Sequence, residues 1–232
     1  MAKTELHEIK KGQTGKGYLI ENDGYISMES GDNKRLVEEF NASEEWHCPY
    51  PFIVSAVLQK HSKLNANGRI YPKAVLEREA EKYQQRIKEH RALGELNHPE
   101  SATIDLGRIS HNIIEMHWEG MTLVGKLELN LSQGFIKYGI CSTMGDTCAN
   151  LLLNGYKIGV SSRAVGSVEN KMGQMIVGDD LELQCWDIVS DPSTNGSWIG
   201  DSLDELSPYI ESKEHKGSVI QEKVDKIKKL LN

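Results

Sequence analysis

The alternation of apolar and polar positions along the chain predicts more strands than helices. The strongest signal is a β-hairpin, in which alternating runs over residues 109–118 and 121–129 flank Glu119-Gly120. Residues 51–60 and 180–189 are rich in apolar and β-branched side chains and predict two further strands. Weaker patterns of the same kind cover residues 17–26 (a hairpin), 93–100, 157–162 and 173–177.

Helical spacing of apolar positions is less common. It predicts an amphipathic helix over residues 74–90, just after Pro72, and a second helix over 144–154. Shorter or more polar helical patterns cover residues 33–40 and 218–232. Because the hairpins are antiparallel and there is no regular βαβ repetition, we expect an α+β fold built on an antiparallel sheet or barrel.

Composition and charge narrow the class of protein. The chain has 232 residues, of which 38% are hydrophobic and 26% are charged, and its net charge is −7. An acidic balance argues against a general nucleic-acid binder, since phosphates need a basic face. No apolar run approaches a membrane span, and the polar start of the chain predicts no signal peptide. The four cysteines form no Cys-x-x-Cys pair, which argues against structural zinc and favours a reducing cytoplasm.

The stretch from Gly159 to Gly166 combines two adjacent hydroxyls, Ser161 and Ser162, with the guanidinium of Arg163. A serine among small residues, with backbone amides close by, is how a chain presents a nucleophile. An ordinary strand that ends in a loop would have the same pattern. The donors for an oxyanion would then be Arg163 and the amides from Ser162 onward, with a surface salt bridge as the alternative role for Arg163.

A serine nucleophile needs a base, and His98 is the best placed of the eight histidines. It directly precedes Pro99, which favours an extended backbone at His98, although a turn histidine would look the same. His111, on the predicted hairpin, is the second candidate, and His117 on the same strand faces solvent or packs. The remaining histidines lie in predicted tails, loops or a helix end and are expected to be solvated: His7, His47, His61, His90 and His215.

A carboxylate that orients the imidazole completes such a site, and Asp187 fits best because it interrupts an apolar strand. A solvent-facing residue on an alternating strand remains an alternative for Asp187. Asp105 and Glu95 are weaker candidates. A cysteine enzyme is disfavoured because no cysteine lies beside a histidine-bearing motif.

Three strings together resemble the prohead core proteases of tailed phages of the T-even type. They are Asn67-Gly68-Arg69-Ile70-Tyr71-Pro72, Gly94-Glu95-Leu96-Asn97-His98-Pro99 and the stretch from Gly159 to Val168. Their order and spacing match the family, as does the hairpin containing Trp118-Glu119-Gly120. The resemblance covers about residues 54–198.

The resemblance implies a serine endopeptidase related in fold to herpesvirus assemblins, with an antiparallel β-barrel core surrounded by helices. It implies Ser161 as nucleophile, His98 as general base and Asp187 as third member, with His111 open as the alternative because the herpesvirus relatives use a second histidine. No metal or cofactor is implied. The family usually has glycine where this chain has Ala164.

The resemblance also implies a domain organisation and substrates. We expect a flexible arm over residues 1–17, a protease domain over 18–205 and a tail over 206–232 that ends in an amphipathic helix. The expected partners are the scaffold or core proteins and the major capsid protein, inside the prohead in the host cell cytoplasm. Nucleic-acid and membrane partners are not expected, while a homo-oligomer is left open.

Cleavage in this family favours a Glu before the cut and an apolar residue two positions earlier. Leu203-Asp204-Glu205 and Ile220-Gln221-Glu222 have this form and predict self-cleavage after Glu205 and Glu222. The alternative is a non-catalytic prohead core or scaffold protein that keeps the protease fold. The sequence names no substrate-binding residue.

Overall fold

The computed structural model describes residues 6–29, 31–43, 45–99, 101 and 103–190, without the side chains of residues 22 and 23. The strands in this part of the chain are β1 (Gly15–Ile26), β2 (Ile53–Lys60), β3 (Arg69–Ile70), β4 (Leu93–Glu95), β5 (Ile109–Glu119), β6 (Thr122–Leu129), β7 (Gly159–Lys171), β8 (Gln174–Val177) and β9 (Glu182–Val189). The helices are α1 (Gly31–Asn41), α2 (Lys73–Lys88), α3 (Gln133–Tyr138) and α4 (Met144–Leu153).

One nine-stranded sheet forms the centre of the fold, in the order β3-β8-β7-β1-β2-β6-β5-β4, with β9 also paired to β7. The α+β class is therefore confirmed. The closed antiparallel barrel is not, because the sheet is open and β3 pairs with β8 in parallel. One isolated parallel bridge joins Leu96, just after β4 at one end of the sheet, to Ile188 in β9.

Helix α2 covers β5 and β9 with the apolar face that its sequence predicts. The buried side chains on this face include Val75, Leu76 and Tyr83, and the Tyr83 ring meets Trp186 of β9 edge to face at 4.9 Å between centroids. The carboxylate of Glu79 accepts a hydrogen bond from the backbone of β9 as well. Strand β9 is therefore held in place by its contacts with α2 and by its pairing with β7.

Helix α4 begins with a capping box, in which the Thr143 hydroxyl accepts from the Asp146 amide and Asp146 accepts from the Thr143 amide. The same carboxylate accepts from the Ser132 amide at 2.8 Å and so joins the starts of α3 and α4. The sequence predicts α4 but not α3, because six residues are too few to show a helical period. Among the described helices, none has the length and the hydropathy that a membrane span needs.

The predicted hairpin over residues 17–26 is wrong, since β1 runs through this segment as one strand. It pairs with β7 and β2, and the Asn-Asp-Gly sequence becomes an irregularity in the register between Glu21 and Gly24 instead of a turn. In the predicted N-terminal arm, Ile9 is buried and its amide donates to the Tyr18 carbonyl, whereas residues 10–16 are exposed. The predicted tail, with Glu205 and Glu222, lies outside the described residues.

Gly94 in β4 is a position where the fold leaves no room for a side chain. A Cβ there would lie 2.2 Å from the Trp186 carbonyl oxygen and 2.3 Å from Cε1 of His111. We predict that Gly94→Ala lowers the free energy of unfolding by about 1–3 kcal/mol, because overpacked cores must distort. Denaturant unfolding measures this effect.

Gly134→Ala in α3 is the matched control, since its Cβ would meet no atom closer than 3.5 Å. This variant is expected to be neutral or slightly stabilised, as alanine favours helices. Equal stability of the two variants would contradict the packing around β4.

Candidate active site

Pairing between β7 and β9 brings two of the predicted residues together. Ser161 lies directly opposite Asp187 in the antiparallel register, and Arg163 lies opposite Cys185. Directly opposed residues project to the same face of a sheet, and so do residues two apart on one strand. All four side chains therefore share one face.

The chain after β4 brings His98 to this face. The Asn97 amide donates to the Ile188 carbonyl of β9 at 2.7 Å, and Asn97 itself has a φ of 62°. This left-handed conformation is one that asparagine tolerates better than most residues. The backbone thus turns directly before His98, at the point where it is fixed to β9.

The three side chains form one hydrogen-bonded chain. His98 Nε2 lies 2.5 Å from Ser161 Oγ, and His98 Nδ1 lies 2.8 Å from Asp187 Oδ2. A carboxylate only accepts, so Nδ1 carries the hydrogen and Nε2 accepts from the serine hydroxyl. Ser161 and Asp187 are buried, whereas 15% of the His98 side chain is exposed. This arrangement can move a proton from Ser161 to His98 while Asp187 holds the other ring nitrogen.

Asp187 is held ionised by its surroundings. Burial raises its pKa, but the hydrogen bond from His98, the charge of Arg163 and a hydrogen bond from the Glu95 amide together outweigh burial, and the pKa is lowered. The Glu95 amide lies 2.9 Å from Asp187 Oδ1. The carboxylate therefore has a fixed direction and a negative charge.

Comparisons with known proteins identify the family of the chain. A family model described as prohead core protein serine protease matches residues 18–206. The chain belongs to this family. A prohead core protein protease of Enterobacteria phage T4 is 30% identical over 180 residues, which make up 76% of each of the two proteins. The solved structure of the bacteriophage T4 capsid assembly protease matches with a TM-score of 0.59 at 25% identity, covering 75% of this chain and 98% of that one.

As a member of this family, the chain is a peptidase that acts in capsid maturation, inside the procapsid. In the described part of this prohead protease, no group of three or more His, Cys, Asp or Glu side chains is arranged to hold a metal ion.

Two alternatives that the sequence leaves open for the stretch from Gly159 to Gly166 differ from the structure. Residues 159–166 lie within β7 and form no loop, and Ser162 is paired with Trp186 on one side and with Glu21 on the other. The guanidinium of Arg163 is buried and forms no surface salt bridge. It contacts the carboxylates of Glu95 and Asp187.

His111, the alternative third member, is a buried histidine of β5 whose Nδ1 lies 2.9 Å from Ser110 Oγ. Burial lowers its pKa to about 4 in spite of the charge of Asp187, so it is neutral near pH 7. The structure thus sets Asp187, and not His111, against His98. Asp105 instead accepts from the Gly107 amide and caps a short 3₁₀ turn.

His61 is the one predicted loop histidine of the prohead protease that is buried instead of solvated. Its ring lies 5.1 Å from the Trp118 ring between centroids. His117, on the same strand as Trp118, is half exposed and faces two glutamates.

A second buried cluster lies on the β1 side of β7, and the sequence patterns did not predict it. Glu21 of β1 accepts from Arg69 Nη1 at 2.6 Å and from the Tyr71 hydroxyl at 2.9 Å on one oxygen. Its other oxygen accepts from the side-chain amides of Asn65 and Asn67, both at 2.7 Å. Three of these donors, Asn67, Arg69 and Tyr71, belong to the first of the three family strings. The residues of this string therefore have a structural role as donors to Glu21.

The position of the Glu21 cluster explains its relevance to the site. Glu21 pairs with Ser162, and Gly24 pairs with Val160, so residues 22 and 23 both lie opposite Ser161. Two residues opposite one is a β-bulge, and bulges are common beside active sites. The alternation of polar side chains at 65, 67, 69 and 71 is the signal that could have revealed a common target.

We predict that Arg69→Met lowers the free energy of unfolding by about 3–5 kcal/mol, because burial already raises the pKa of Glu21 and the variant removes the cation that stabilises its carboxylate. Lys16→Met, which removes the exposed partner of Asp180, is the control and should cost below about 1 kcal/mol. Denaturant unfolding compares the two. A similar small loss in both variants would contradict a buried charge at Glu21.

The lowered pKa of Asp187 predicts that its contribution to the free energy of unfolding depends on pH. Its folded pKa is below its ordinary value of 3.8, so its contribution is complete above that value and is lost as the pH falls through the lower folded pKa. The difference in unfolding free energy between the wild-type chain and Asp187→Asn should therefore shrink between about pH 5 and pH 2. A difference that stays constant over this range would exclude a depressed pKa.

Proposed function

We propose that this prohead core protease is a serine endopeptidase with Ser161 as nucleophile, His98 as general base and acid, and Asp187 as the carboxylate that orients His98. The observation that supports this assignment is the hydrogen-bonded chain from Ser161 through His98 to Asp187. Its two contacts, at 2.5 Å and 2.8 Å, lie within or close to the range for proton transfer.

The geometry supports a two-stage mechanism. Ser161 Oγ attacks the scissile carbonyl carbon while its proton passes to His98 Nε2, and Asp187 stabilises the imidazolium that forms. The C–N bond then breaks as His98 returns the proton to the leaving amine, which leaves an acyl-enzyme. Water attacks the acyl group with His98 again as base, and the Ser161 hydroxyl is restored. None of these steps needs a cofactor.

Access to the nucleophile needs a movement. Ser161 is fully buried in this conformation, and only His98 of the three residues has an exposed fraction. A peptide therefore reaches Oγ only after the groups that cover Ser161 move aside. A small probe is the better first test of the nucleophile for this reason.

The proposed substrates are the scaffold or core proteins and the major capsid protein of the prohead, in the host cell cytoplasm. We extend the proposal to the chain itself, with a protease domain over residues 18–205 and a tail that is removed by self-cleavage. The strings ending in Glu205 and Glu222 support this step by sequence alone.

We predict that a fluorophosphonate probe labels the wild-type chain at Ser161 and that labelling is lost in Ser161→Ala and falls by at least about 100-fold in His98→Ala. Ser162→Ala is the matched control, because it removes the neighbouring hydroxyl from the same strand and should still be labelled. Mass spectrometry of the labelled peptide locates the site. Labelling that survives Ser161→Ala would refute the assignment, and a folded but unlabelled wild-type chain would favour a non-catalytic core protein.

Self-cleavage predicts new fragments that begin at Leu206 or Lys223 when the purified wild-type chain is incubated. Ser161→Ala should keep its full-length mass under the same conditions. Intact-mass measurement over time compares the two chains. Identical masses throughout would show that these tail strings are not cut by the isolated chain.

A further inference from the structure

A second buried carboxylate lies behind the proposed triad, and the mechanism above does not use it. Glu95 of β4 is fully buried and lies beside Asp187, which its backbone amide contacts. Two buried carboxylates so close together would repel each other strongly without cations. The guanidinium of Arg163 lies between them.

Arg163 contacts Asp187 with two of its nitrogens. Nη2 donates to Oδ1 at 3.3 Å, and Nε lies 3.1 Å from Oδ2 at ion-pair distance but without the alignment of a hydrogen bond. Oδ2 is also the oxygen that accepts from His98 Nδ1. Arg163, Asp187 and His98 therefore follow one another directly, so a change at the guanidinium acts on the imidazole through one carboxylate.

Glu95 fixes the guanidinium from the other side. Its Oε1 accepts from Arg163 Nη2 at 2.9 Å and from the Asp105 amide at 3.0 Å, while Oε2 lies 3.3 Å from Arg108 Nε. The carbonyl of Ser101 accepts from Arg163 Nη1 at 2.5 Å. With these partners the planar guanidinium has one orientation.

The charges of this cluster balance. Two carboxylates, Glu95 and Asp187, face two guanidinium groups, Arg163 and Arg108. Burial raises the pKa of the neighbouring Cys185 thiol, so it adds no charge. Removal of one charge leaves an excess in a buried site, whereas removal of Arg163 and Glu95 together keeps the balance.

We infer that Arg163 is a positioning residue that holds the Asp187 carboxylate against His98, and that Glu95 is the counter-ion that holds Arg163 in place. This inference rests on the proposed serine mechanism. It assigns the guanidinium of the third family string to the triad instead of to the oxyanion. It also gives the Glu95 of the second family string a role.

The experiment separates positioning from packing by the use of matched variants. Arg163→Met leaves an unbalanced carboxylate and is expected to lose both stability and activity. Arg163→Met combined with Glu95→Gln restores the charge balance, and its thermal midpoint should recover toward that of the wild-type chain. Glu95→Gln alone keeps the contacts between Arg163 and Asp187, since the amide oxygen can still accept from the guanidinium.

The readout is the saturation kinetics of fluorophosphonate labelling at Ser161, which separates probe binding from the chemical step. In the double variant the limiting rate of labelling should fall on the order of 100-fold at unchanged half-saturation, the loss that follows when a catalytic group is misplaced by about 1 Å. Glu95→Gln alone should have a rate between those of the wild-type chain and the double variant, because it removes the counter-charge but keeps an acceptor for Arg163. Arg163→Lys, which keeps the charge but not the planar fork, should lie between the two.

The outcomes are distinguishable. A double variant that regains both its midpoint and a rate within about threefold of the wild-type rate would overturn the positioning role, because Arg163 would then only satisfy Glu95. If the double variant does not fold, a wild-type rate in Arg163→Lys overturns the role and an intermediate rate supports it. Labelling of the wild-type chain that does not depend on Ser161 would instead refute the proposed function itself.

Discussion

The antiparallel register between β7 and β9 is the constraint on which the proposed active site depends. It sets Ser161 opposite Asp187 and Arg163 opposite Cys185. A slip of one residue would turn every side chain of β7 to the other face and would separate Ser161 from His98. The segment that carries His98 depends on the same strand, because its backbone is bonded to β9. Contacts with helix α2 also hold β9 in place beside β7.

Strand β7 has a buried charge cluster near two of its three neighbouring strands, Glu21 with Arg69 near β1 and Asp187 with Arg163 near β9. Buried ion pairs are weak sources of stability, since desolvation offsets most of their attraction. What they supply here is orientation, because both oxygens of Glu21 and both oxygens of Asp187 accept from donors in fixed places. Apolar side chains at the positions of Asp187 and Arg163 would supply packing but not the acceptor that holds His98.

Local signals in the sequence predict most of the strands and helices. They fail where pairing with neighbouring strands determines the conformation of a segment or the burial of a side chain. The Asn-Asp-Gly segment is a good turn in isolation, but pairing of β1 with β7 and β2 converts it into a bulge. His61 is preceded and followed by polar residues and still packs on Trp118 of β5, because the β5–β6 hairpin pairs with β2 through β6. Arg163 follows two serines, a local sequence typical of an exposed cation. It is nevertheless buried, because its strand runs through the centre of the sheet. Spacing along one strand does not encode what lies across it.

The sequence by itself determined the candidates for the chemistry, namely a serine between small residues, a histidine held before a proline and an aspartate in an apolar strand. These signals are local, because each depends on the residues directly beside it. Only the tertiary structure decided that Asp187 rather than His111 faces His98, and that Arg163 and Glu95 complete a buried network behind it. The physical reason is that a buried charge takes its partners from other strands, which no pattern along the chain specifies.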